Sequence, residues 1–157
     1  MFRVLFVCSG NICRSPTAEG VFRGLVAARG LSGRIEADSA GMGAWHVGEP
    51  PDTRSQETAR RRGVEIGGQR ARAVRPADFA DFDLLLAMDS GHLRSLSAAC
   101  PAPSASRVRL FLDWAPELGV TDVPDPYYGA GAGFERVFDM IESAATGLVA
   151  DIEANRL

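Results

Sequence analysis

The first apolar segment, Phe2–Val7 (FRVLFV), is short and rich in β-branched and aromatic residues, which predicts a buried strand. Ser15-Pro16-Thr17 then reads as a helix start, with Ser15 as the cap and Pro16 near the first helical position. Ala18, Phe22, Leu25 and Val26 continue at helical spacing until Gly30. Ile35–Ala40 is a weaker strand, followed by a Gly- and Pro-rich loop from Gly41 to Pro51 that carries Trp45 and His46. Asp52–Arg62 is a polar helix ended by Gly63. Its Arg60-Arg61-Arg62 run reads as a solvated face, favourable at a helix C-terminus. Phe82–Met88 (FDLLLAM) is the clearest buried strand, and Asp89 and Ser90 open a short helix through Leu96. Ser97–Ser106 reads as a loop, Arg107–Leu112 as the last strand and Asp122–Gly133 as a turn-rich loop. Phe134, Val137, Phe138, Ile141, Ala145, Leu148 and Ile152 share one face of a long helix over Phe134–Ile152.

Strands that alternate with helices predict an α/β fold: a parallel sheet flanked by helices on both faces, in a single domain spanning residues 1–157. In such sheets ligands bind beyond the carboxyl ends of the strands. The loops after Val7, Ala40 and Met88 are therefore the places to look for chemistry, and the Asp122–Gly133 loop must fold over them to join the site.

Composition narrows the class. Of 157 residues 46% are hydrophobic and 24% charged, enough to bury one core. A net charge of -3, from 17 Lys+Arg and 20 Asp+Glu, argues against general nucleic-acid binding. No apolar run reaches the ~20 residues of a membrane span, and the first residues read as a strand, not a signal peptide. The three cysteines, Cys8, Cys13 and Cys100, fit a reducing cytoplasm. Cytoplasmic residence is the expectation, with export by another route left open.

The loop Cys8-Ser9-Gly10-Asn11-Ile12-Cys13-Arg14-Ser15 carries the candidate chemistry. Between a strand and a helix, its backbone N–H groups and the helix dipole converge on a dianion. Gly10 permits close approach of the backbone, and Arg14 adds a planar fork matched to phosphate oxygens. The same donors favour a thiolate at Cys8, aided by a nearby Ser15 hydroxyl. A thiolate facing a bound phosphorus atom is an activated nucleophile. Other readings weigh less. Cys-x4-Cys is half a zinc site, but Cys100, His46 and His92 show no ligand spacing, and the loop lacks the Gly-Lys-Ser/Thr ending of a nucleotide-binding loop. No metal or cofactor is expected.

The run Val7–Pro16 (VCSGNICRSP), the later Asp125-Pro126-Tyr127-Tyr128, and their order in a chain of this length resemble the low-molecular-weight protein tyrosine phosphatases. The resemblance implies a four-stranded parallel sheet with a phosphate-binding loop between strand 1 and helix 1. It implies metal-independent hydrolysis of phosphotyrosine through a cysteinyl-phosphate, with Cys8 as nucleophile, Arg14 as phosphate binder and Asp125 as general acid and base. Pro124 and Pro126 stiffen both sides of Asp125. Asp122 is a rival acid without the Pro-Tyr-Tyr that follows Asp125.

Further roles rest on the same resemblance. Ser9, Gly10, Asn11, Ile12, Cys13 and Ser15 would line the phosphate loop, with Asn11 and Ser39 holding its shape. Gln69 stands where the family commonly has a histidine. Asp89 either orients Arg14 or caps the next helix. Trp45, Tyr127 and Tyr128 resemble the walls of a deep aromatic cleft, which favours the long aryl ester over phosphoserine; Trp45 as a core residue is the alternative. Ile12, where phosphoarginine-directed relatives tend to carry Thr, leans toward tyrosine. Cys13 either packs or forms a reversible disulfide with Cys8. The expected partners are a phosphotyrosine protein and a cognate tyrosine kinase, with no nucleic acid and no membrane insertion, in a monomer or weak dimer. Two other classes remain: an arsenate reductase, disfavoured because Cys100 has no relay partner, and a silent phosphotyrosine-binding module, disfavoured because Cys8, Arg14 and Asp125 are retained together.

Overall fold

The computed structural model describes residues 1–127 and 132–157. Phe2–Cys8 forms β1, whose alternate side chains enter two separate cores, and the chain builds outward from it on both sides. β2 (Ile35–Gly41) pairs with one edge of β1 and β3 (Leu84–Ala87) with the other, while β4 (Val108–Leu110) adds beyond β3. The order is β2-β1-β3-β4 and every pairing is parallel. A strand buried on both faces needs apolar side chains at successive positions, and Val4–Cys8 and Leu84–Ala87 supply them.

Val4, Phe6 and Cys8 face α1 (Arg14–Ala28) and α5 (Ala132–Asn155), with Phe22, Phe111 and Phe138 filling the gap. The Phe6 ring meets Phe22 and Phe111 edge-on, at centroid distances of 5.5 and 5.2 Å. On the opposite face Leu5 and Val7 pack with Phe79 of the short α3 (Asp78–Asp81) and Leu96 of α4 (Ser90–Ala99). The predicted fold class is the observed one.

Local boundaries differ for physical reasons. Helix α1 begins at Arg14, and Ser15 does not cap it: the preceding Cys13 holds the N-cap place without a side-chain bond, and the Ser15 hydroxyl is turned toward Cys8. Pro16 then falls inside the first turn, where its missing N–H costs nothing. The third strand is shorter than Phe82–Met88, because Phe82 ends α3 and Asp83 accepts the Arg3 amide. α4 runs on to Ala99, and a 3-10 turn over Ala102–Arg107 occupies part of the expected loop. α2 (Thr53–Arg61) is capped by Asp52, which accepts the Arg54 amide. The Arg60–Arg62 run is partly a fastener: Arg62 donates to Asp139 at 2.7 Å and lies over the Phe138 ring, tying α2 to α5. Among the described residues no helix is long and apolar enough to cross a membrane.

Helix α5 passes close over the 3-10 turn Phe111–Trp114 at Gly147. A Cβ added there would lie 2.2 Å from the Trp114 carbonyl oxygen, a backbone atom that cannot swing aside. Gly147→Ala gains about 1 kcal/mol of helix propensity but forces the helix off its bed, at about 2–3 kcal/mol, the upper part of the overpacking range, because the contact is with backbone. The expected net result is a Tm lower by about 2–8 °C, measured by thermal melting; an unchanged or higher Tm would show that α5 is free to shift.

Candidate active site

The loop between β1 and α1 turns through Asn11, whose φ of 60° is left-handed, and Asn is among the few non-glycine residues that adopt this readily. Its carboxamide is fully used. Nδ2 donates to Ser15 Oγ at 2.8 Å and to Ser39 Oγ at 3.0 Å, and Oδ1 accepts the Arg72 amide at 3.0 Å. The loop carbonyls point outward: Cys8 O accepts from Met42 N, Ser9 O from Gly43 N, Ile12 O from Asp52 N, and Cys13 O from the Thr17 hydroxyl. With the carbonyls turned away, the N–H groups are left to face the cavity. Gly41 lies directly beneath, where a Cβ would come within 3.0 Å of the Gly10 carbonyl carbon and Ser9 oxygen. A side chain at the end of β2 would therefore press on the loop backbone, which would have to shift by a few tenths of an ångström to admit it.

Cys8 Sγ lies at the floor, 3.0 Å from Ser15 Oγ. Asn11 already donates to Ser15 Oγ, and the Ala40 carbonyl is farther away at 3.5 Å, so the Ser15 proton points at the sulfur. Arg14 is buried, its side chain only 4% exposed. Its Nη1 donates to Asp89 Oδ2 and to the Val123 carbonyl, both at 2.9 Å. Its Nη2 faces Ser9 Oγ at 3.4 Å and Asp125 Oδ2 at 3.6 Å. One guanidinium edge is therefore fixed to the protein and the other opens onto the cavity. Asp125 Oδ1 accepts the Tyr127 amide at 3.0 Å, which aims Oδ2 inward. Asp122 is occupied elsewhere, accepting both the amide and hydroxyl of Ser90, and those bonds hold its carboxyl below the usual range.

The cavity is about 440 Å³, with Cys8, Gly10, Cys13 and Arg14 at its base and Ile12, Trp45, His46 and Tyr127 around it. Another cleft, of about 590 Å³, lies beside the start of β2 among Arg3, Phe22, Glu36 and Phe82. It holds the Ser32 hydroxyl but no thiol and lies away from the carboxyl ends of the strands, whereas Cys8, Arg14 and Asp125 all line the smaller cavity.

A sequence model of the family described as low molecular weight phosphotyrosine protein phosphatase matches residues 3–157. The low molecular weight protein-tyrosine-phosphatase YfkJ of Bacillus subtilis is 44% identical over 156 residues, 99% of this chain and 99% of that protein. A low molecular weight protein-tyrosine-phosphatase of Streptomyces coelicolor is 46% identical over 154 residues, covering 96% of this chain and 93% of that protein. The crystal structure of a protein tyrosine phosphatase from Entamoeba histolytica, with Hepes in its active site, superposes with a TM-score of 0.96 at 36% identity, covering 100% of both chains. The chain belongs to the low molecular weight phosphotyrosine protein phosphatase family.

Most of the sequence-predicted residues of this phosphatase converge on that cavity. Trp45 is not core: it is 74% exposed and stands on the cavity wall. Asp89 takes both of the roles weighed for it, capping α4 through the His92 amide at 2.8 Å while holding Arg14. Cys13 is buried and unbridged, and burial pushes its thiol up to about 12, so it rests as a protonated thiol and not as the thiolate that attacks sulfur. Tyr128 lies outside the described residues. Gln69 reaches the network's edge, with Nε2 donating to the Pro16 carbonyl at 3.0 Å and Oε1 3.5 Å from Ser39 Oγ.

Three supporting residues escaped sequence reasoning. The Ser39 hydroxyl gives its one proton to Glu19 Oε1 at 2.7 Å, so Glu19, not Gln69, completes the support of Asn11. Arg72, which offers its amide to Asn11, is itself fixed by Asp38 and Asp78. His92 meets Ser9 at the opposite side of the loop. Only an acid at helical spacing after the loop, four residues before Arg23, hinted at the first of these.

Burial raises Glu19 above its ordinary 4.5, despite bonds from Ser39 and Arg23. Between 4.5 and that higher value the folded protein binds more protons than the unfolded chain, so stability falls as pH rises through the window. Glu19→Gln keeps an acceptor for Ser39 and removes the ionisation. The urea midpoint of the variant is expected to match or exceed that of the parent at pH 7 and to decline less between pH 4.5 and 7. A variant losing most stability at pH 7 would show instead that the carboxylate is net favourable.

Proposed function

We propose that this chain hydrolyses phosphotyrosine on proteins by a metal-independent, two-step route through Cys8. The observation that carries the reading is the shared cavity: a cysteine sulfur at the floor of a loop whose carbonyls are bonded to other segments, with the free edge of Arg14 and the carboxyl group of Asp125 3.6 Å apart above it.

The phosphate of the substrate takes the place that Asp125 Oδ2 now contests with Arg14 Nη2. Its oxygens are held by the loop amides and the guanidinium, which stabilise charge on the equatorial oxygens as bonding at phosphorus changes. The Cys8 thiolate, supported by the Ser15 proton, attacks phosphorus from below. The S–P bond forms as the P–O bond to the aryl group breaks, and Asp125, which enters this step as the neutral acid, gives its proton to the departing phenolate. Water then attacks phosphorus from the vacated side. The S–P bond breaks, the electron pair returns to Cys8, and the Asp125 carboxylate takes the water proton, which restores both groups.

Selectivity follows from depth. Trp45 and Tyr127 stand over a base that only a long ester reaches, and an aryl ring fills the space between them. Ile12 narrows the same cavity. A phosphoserine is too short to place phosphorus over Cys8 while touching those walls. The cradle also accounts for the reading against a silent binding module, since a mere anion site needs neither the sulfur nor the aimed acid.

Hydrolysis of a phenyl phosphate ester with a chelator present tests the route. Full turnover is expected; activity that disappears with the chelator overturns the metal-independent mechanism. Cys8→Ser is expected to abolish turnover while still binding inorganic phosphate. Asp125→Ala is expected to lower kcat by ~10²–10⁴-fold on aryl esters with poor leaving groups and much less on esters whose phenolate leaves unaided. Side-by-side assay of phosphotyrosine, phosphoserine and phosphoarginine peptides is expected to favour the first; equal rates would refute the aromatic cleft.

A further inference from the structure

His92, in the first turn of α4, has no part in the chemistry above, yet it is 7% exposed and faces the binding loop. Its Nε2 is 2.8 Å from Ser9 Oγ. Its Nδ1 is buried without a hydrogen-bond partner, and Asp89 Oδ1 stands 3.2 Å away, off the direction a hydrogen bond needs. A buried polar atom left unpaired costs about 1–3 kcal/mol, so an apolar side chain would serve packing better at this position. The imidazole is retained at a cost that packing does not explain.

The surroundings settle the direction of the protons. A carboxylate 3.2 Å from Nδ1 repels a lone pair there and favours a proton. Nε2 is then the acceptor and the Ser9 hydroxyl the donor. With its proton spent on His92, Ser9 Oγ turns a lone pair toward Arg14 Nη2 at 3.4 Å. Arg14 Nη1 donates to Asp89 Oδ2, and Asp89 Oδ1 accepts the His92 amide, so the circuit closes on itself. We propose that His92 is a positioning residue of the phosphatase: by taking the Ser9 proton it fixes the Ser9 hydroxyl as an acceptor and thereby holds the free edge of Arg14 in register for the phosphate. The inference rests on the assignment of Arg14 as the phosphate binder.

The electrostatics agree. Burial lowers the His92 pKa from 6.5, and Arg14 on α1 lowers it further, while Asp89 on its own helix and Asp122 and Asp125 on the loop before α5 pull the other way. The ring is neutral at pH 7, which is the form able to accept from Ser9.

His92→Phe keeps an aromatic ring and removes both nitrogens, whereas His92→Gln restores a polar group of similar reach. The readouts are kcat and KM on an aryl phosphate and the competitive Ki of inorganic phosphate, all at pH 7. His92→Phe is expected to weaken phosphate binding and to lower kcat/KM by roughly tenfold, the size of one hydrogen bond, and His92→Gln to recover most of both. Ser9→Ala is expected to show the same loss, with no further loss when combined with His92→Phe, because both remove one link. Native Ki and kcat/KM in His92→Phe, no recovery in His92→Gln, or multiplying losses in the double variant each overturn the proposal. Should His92→Phe fail to fold, Ser9→Ala decides alone: native phosphate affinity there overturns it. Loss of all turnover in the parent protein, with phosphate binding and its response to Ser9→Ala intact, would instead refute the proposed reaction and leave the positioning role standing.

Discussion

The left-handed backbone at Asn11 is the constraint on which the site depends. It reverses the chain so that the carbonyls of the loop leave the cavity and its amides enter. A non-glycine residue in this conformation costs about 1–2 kcal/mol, which the three hydrogen bonds of the Asn11 carboxamide, at about 1 kcal/mol each, offset. Those bonds reach Ser15 on α1, Ser39 on β2 and the Arg72 amide on the segment bridged to Gly41, so the conformation is held from three directions at once. Ser39 in turn depends on Glu19, and Arg72 on Asp38 and Asp78. The anion cradle is thus the inner end of a polar scaffold that extends well into the domain.

Arg14 imposes the second requirement, because a buried cation must be matched. Asp89 and the Val123 carbonyl satisfy one edge, and Val123 is itself pinned by donating its amide to Met88. The charge therefore draws the loop before α5 onto the carboxyl ends of the sheet, which is how Asp125, 111 residues from Arg14 in sequence by subtraction of their numbers, arrives above Cys8. Asp125 faces the other edge of the guanidinium at 3.6 Å.

Much of this was legible in the chain. Successive apolar positions marked β1 and β3, and a cysteine six residues before an arginine, between strand and helix, marked the cradle. Asp125 was marked by the resemblance of Asp125-Pro126-Tyr127-Tyr128 to the family's motif, with the flanking prolines in support. What stayed hidden were contacts made by single polar residues across the fold. Glu19 and His92 sit on helices whose periodicity announces only which face is buried, and a buried acid or imidazole looks like any interrupted apolar stripe. Arg72 acts through its backbone amide, for which side-chain identity gives no signal. The helix boundary at Ser15 was misplaced because a cap and a partner for sulfur call for the same hydroxyl.

Base and wall of the cavity are built from different material. The base is buried and cross-linked by hydrogen bonds; the loop that carries the wall is anchored through its backbone, but the Trp45 and Val47 side chains it presents are exposed. Inheritance should treat the two unequally. A change in the base spreads through Asn11 or Arg14 and is purged, while a change in the wall alters only which phosphorylated surface fits. Descendants of such a chain are free to exchange clients while keeping one reaction, and lineages that diverge in what they recognise should still agree, residue for residue, on what lies beneath.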